Sequence, residues 1–150
     1  MINPACIALA DYCHTLPDRE AAAAAVRIVD MVVRGIAPDA FRPPRTLHAD
    51  FIRGIPRIST PGACQRAASA VRSRALYIDD LGAVKHLADA ACSAADAAAS
   101  PQKYAPGSAG LYAGLCVGYA EQVIVVVRAV GGAGDYIAML AAAVKDEVQS

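Results

Sequence analysis

The stretch SAGLYAGLCVGYAEQVIVVVRAV, residues 108–130, decides how the chain is read. Nothing between Ser108 and Glu121 carries a charge, and after Glu121 and Gln122 the apolar run resumes as Val123-Ile124-Val125-Val126-Val127. As a helix, the segment has too few polar positions for an ordinary solvated face, so the pattern predicts a central helix buried on several sides. Val123–Val127 is rich in β-branched residues and would also suit a buried strand. No second strand pattern exists to pair with it, and a lone buried strand would leave its backbone N–H and C=O groups unsatisfied, so the reading is helical. The uninterrupted run falls short of the ~20 apolar residues of a membrane span, which points to a soluble chain with no membrane partner.

Within this segment Gly110, Gly114 and Gly118 recur at four-residue steps and place three missing side chains on one stripe. Each costs roughly 1 kcal/mol against alanine in a helix, so a compensating close approach is expected: a neighbouring helix, a second copy at a homo-oligomer interface, or a ligand pressed against bare backbone. Tyr104, Tyr112 and Tyr119 recur at seven- to eight-residue steps. In a chain with 5% aromatic residues and no Trp, Tyr112 and Tyr119 are expected to anchor the core or an interface.

The flanking sequence supplies the other helices. Asn3-Pro4 and Thr60-Pro61 each pair a good N-cap with proline at the first helical position. Ile2, Cys6, Leu9, Cys13 and Leu16 form one seam, Pro17-Asp18 stops it, and Asp18 can cap a second helix ending near Gly35. In that second helix Ala22, Val26, Val29, Val33 and Ile36 share a face, with Arg27, Asp30 and Arg34 opposite it. Four prolines between Pro38 and Pro56 mark an irregular stretch with room for a short helix between Pro44 and Gly54. Thr60 to Tyr77 reads as a further helix, as does the stretch from Asp79 or Asp80 to Ser100, where Leu81, Val84, Ala88, Ala91 and Ala95 keep a narrow repeat. Gly131–Gly134 breaks the chain before a terminal helix capped by Asp135. The expected fold is all-α: one domain, residues 1–150, a bundle of about six helices around residues 108–130.

Composition fits that architecture. Of 150 residues 35 are alanine, so the 56% hydrophobic content consists largely of the best helix former rather than bulky core filler. A chain of this length buries roughly 68–70% of its unfolded surface, so it needs no disulfide or metal staple. Five cysteines at wide spacings, with no CxxC, read as buried apolar thiols. The N-terminus lacks a basic region followed by an apolar core, so the expected compartment is the cytoplasm.

The 14 basic and 14 acidic residues cancel overall but not locally. Arg42, Arg45, Arg53, Arg57, Arg66, Arg72 and Arg74 stand against Asp50 alone. Arginine's planar fork suits carboxylates and interfaces, so these seven are the candidate partner-binding face, fitted to an acidic protein surface. Nucleic acid is disfavoured, since the net charge is zero and few aromatics lie nearby to stack bases.

Chemistry is thinly signalled. His14, His48 and His86 show no HxxxH or HExxH spacing, so no metal site is expected. No nucleophile has a base at a telling distance, no phosphate loop is present, and no catalytic residue or cofactor is assigned. Glu121, an acid inside the most apolar helix, either reaches solvent, pairs with an arginine such as Arg128, or sits buried. The leading expectation is a non-enzymatic helical protein–protein interaction module of the inhibitor, immunity-type or accessory-subunit kind. The alternative is a small-ligand binder or enzyme with Glu121 in a site inside the bundle.

Overall fold

Asn3 accepts the Ala5 N–H on its side-chain oxygen at 2.8 Å and Pro4 follows at the first helical position, which starts α1, Pro4–His14. This is a computed structural model, and it describes residues 3–35, 55, 58, 60–76, 82–127 and 133–149. Helix α2, Asp18–Gly35, begins at Asp18 itself. Asp18 therefore lies with Glu20 in the first turn, where carboxylates offset the partial positive charge of unpaired N–H groups, instead of standing one residue outside as the cap. Thr60 caps α3, Pro61–Ala75, by accepting the Ala63 N–H at 3.1 Å.

Helix α4, Gly82–Ala99, ends at Ser100 and is followed by a 3₁₀ turn over Pro101–Lys103. Gly107, at φ 80°, supplies the left-handed turn that leads into α5, Ser108–Val127. The β-branched run Val123–Val127 is helical. Helix α6, Ala133–Gln149, starts two residues before Asp135, which falls in its first turn. The short helix expected between Pro44 and Gly54 lies outside the described residues, as do Asp79, Asp80 and Arg128–Val130.

The described residues form an all-α bundle of six helices with no strand. Helices α4 and α5 make its most extensive pairing and α2 lies against both, giving a three-helix centre. Helix α1 covers α5, α3 covers α4 and α2, and α6 packs chiefly on α2. The alanine run explains why α2 can be so enclosed: Ala21 to Ala25 are all buried, and their small side chains let neighbouring helices approach closely. Ile28, Leu87, Ile137 and Leu140, all fully buried, fill the space that alanine leaves.

Candidate functional site

The polar centre of the molecule is Asp30, whose side chain is 0% exposed. The sequence places it opposite the apolar face of α2, yet three arginines close over it. Arg34 donates to Asp30 Oδ2 through Nε at 3.1 Å and Nη2 at 2.9 Å. Arg27 Nη1 approaches the same oxygen at 3.4 Å, and Arg74 Nη1, from α3, reaches Oδ1 at 3.5 Å. Arg27 also donates to Glu147 Oε2 in α6 at 3.1 Å and to the Ile55 carbonyl at 3.2 Å. Glu147 Oε1 accepts the Ile58 N–H at 2.8 Å. A carboxylate this deeply buried is tolerable only when its charge is paired and its oxygens are hydrogen-bonded, and both conditions are met.

A cleft of about 330 Å³ opens beside this cluster, lined by Arg27, Met31, Arg34, Ala143, Asp146 and Glu147. Its cations already serve Asp30 and Glu147, so an anionic ligand would have to compete with bonds that hold α2, α3 and α6 together. The cluster is a structural hub.

Glu121 is buried on the side of α5 that faces α1. It accepts the Asn3 N–H at 3.2 Å and lies against the Cys6 thiol. It lines neither the 330 Å³ cleft nor a second one of about 230 Å³ between Asp18, Tyr104 and Ser108. Burial, and then Glu121, push the Cys6 thiol up to about 12. Burial does the same to Cys13 and Cys64, and it raises Cys92 and Cys116 as well. These are protonated, weakly nucleophilic thiols. Two of them donate to backbone carbonyls, Cys92 to Ala68 and Cys116 to Leu87. Among the described residues no group of three or more His, Cys, Asp or Glu side chains could hold a metal ion.

The seven arginines divide. Arg42, Arg45, Arg53 and Arg57 lie outside the described residues. Arg66 is exposed, Arg72 pairs with Asp89 at 3.1 Å across two exposed side chains, and Arg74 turns inward to Asp30. Within the described part, then, Arg74 serves the interior while Arg66 and Arg72 remain at the surface.

The glycine stripe also has an intramolecular use. A Cβ at Gly110 would stand 3.1 Å from the His14 carbonyl oxygen, and one at Gly114 would overlap the His14 imidazole. Helix α1 therefore runs antiparallel to α5, with His14 beside Gly110 and Gly114 and Asn3 beside Glu121. Tyr112 meets Tyr104 edge-on at 6.3 Å, and Tyr119 stacks on His86 at 5.4 Å. Both tyrosines are half-buried within their own chain, as is Gly118.

What sequence reasoning missed is the other side of α5. Leu111, Leu115, Val125 and Val126 are all exposed, Leu111 by 56% and Val126 by 66%. At 100° per residue they share one face with Gly118 and Gln122, next to the face that receives α1. Ile7, one heptad before His14 on α1, is exposed as well. Apart from Gln122, these positions are as apolar as the core, so hydropathy alone could not separate the two. The segment Ser108–Val126 is long and apolar enough to cross a membrane, but 56% of it is buried within the bundle, as in a core helix. No protein-family model, curated protein or solved structure matches this chain.

Proposed function

We propose that the protein is a non-enzymatic helical interaction module whose docking surface is the outward strip of α5. The observation that carries this reading is the run of Leu111, Leu115, Val125 and Val126 along one exposed helix face. Single exposed aliphatics are ordinary, but here two pairs of them, Leu111 with Leu115 and Val125 with Val126, share one helix face on either side of Gly118 and Gln122, and an exposed apolar face of this kind marks a contact surface. Among the described residues of the arginine-rich stretch, Arg66, on α3, lies exposed to an acidic partner, and exposed Arg72 would have to exchange Asp89 for one.

A photo-crosslinking residue in place of Leu115, incorporated in cells, tests the reading. A discrete protein adduct that is missing when the same residue replaces Gln102, on the exposed 3₁₀ turn, is the expected result. Absence of any adduct at position 115 would overturn it.

A further inference from the structure

We infer that the partner on the α5 strip is a second copy of this chain, docked antiparallel about a two-fold axis at Gly118. This rests on the interaction-module reading and names its partner.

The first support is the symmetry of the strip itself. Position 118 is the midpoint of Leu111 and Val125, and it lies within half a residue of the midpoints of Leu111 and Val126 and of Leu115 and Gln122. When α5 is turned end for end onto its copy, Leu111 meets Val125 and Val126, Leu115 meets Gln122, and Gly118 faces Gly118. A C2 interface requires this kind of self-complementary patch. Glycine at the crossing point removes the side chains that would hold the helices apart. The strip carries no charged residue, so self-apposition brings no like charges together, and antiparallel helices set their opposed dipoles side by side.

The second support is area. Leu115 is 44% exposed, Val125 51% and Ile7 43%, beside the values for Leu111 and Val126. Side chains of this size at these exposures present on the order of 400 Å² of apolar surface per copy. Fully covered, two copies would bring together at most about 800 Å², which matches the apolar share, about 65%, of a homodimer contact of about 1,200 Å². That meets the lower bound for a specific interface.

Sedimentation equilibrium on the full chain from about 1 to 200 µM tests the inference, alongside Leu115→Glu, Val126→Glu and Gly118→Cys variants. The expected result is a concentration-dependent dimer, weakened at least about tenfold by either glutamate while circular dichroism and melting stay as in the parent. Gly118→Cys should form a disulfide-linked dimer on mild oxidation, and Gln102→Cys should not. A strict monomer across this range, or a dimer indifferent to both glutamates with no Gly118→Cys cross-link, overturns the inference. The crosslinker at position 115 separates the two levels of the argument. An adduct at twice the chain mass supports self-docking, an adduct of any other mass overturns it while leaving the interaction module standing, and no adduct removes both.

Discussion

The imidazole of His14 occupies the volume that a side chain at Gly114 would need. Gly114→Leu is therefore expected to lower stability by about 1–3 kcal/mol in urea unfolding, because the larger residue must displace α1. His14→Ala in the same chain should recover part of that loss, which a double-mutant cycle would read as coupling between the two positions. Equal losses with and without His14 would place the clash elsewhere.

Asp30 is where arginines from two helices converge. Asp30→Ala leaves the three guanidinium groups facing a vacated carboxylate site, and a loss of about 3–5 kcal/mol is expected. Arg34→Ala should cost less, since Arg34 is 35% exposed and water can replace part of what it gave. Chemical denaturation of the two variants ranks them directly; the reverse order would mean that Asp30 is not the keystone of the hub.

The thiols give the fold a pH dependence with a definite sign. Cys6, Cys13 and Cys64 ionise ordinarily near 9.0 and are pushed to about 12 in the folded chain, chiefly by burial. The unfolded chain therefore loses these protons first. Their contribution to stability is fully present below pH 9 and is lost as pH rises from 9 towards 12. The urea midpoint should fall between pH 8.5 and 10.5. In the native protein at pH 7.5, alkylation should be slow and should begin at half-buried Cys92.

Tyr136 lies across Gly35 and donates its hydroxyl to the Met31 carbonyl, fastening α6 to the last turns of α2. Tyr136→Phe should cost about 1 kcal/mol, the usual net worth of such a bond. Gly35→Ala should cost more, because a methyl there overlaps the tyrosine ring. Thermal melts of the pair would check that order.

Short-range signals were the readable ones. The caps at Asn3 and Thr60 could be read because each joins a side-chain acceptor to proline and a helical period within a few residues. The seam Cys6, Leu9 and Cys13 was legible for the same reason, and all three are buried. Asp30 was not, because the partners that bury it, Arg74 and the Arg27–Glu147 link, come from far along the chain. The clue present was local: arginines three residues before and four after one aspartate. The open strip of α5 was hidden for a different reason. Period and hydropathy show that a face is apolar, not whether a neighbour from the same chain covers it.

The Asn3–Glu121 and Arg27–Glu147 bonds join residues 118 and 120 positions apart. Both bonds close only when segments more than a hundred residues apart meet, and such non-local closure slows folding relative to a bundle held by neighbouring helices alone.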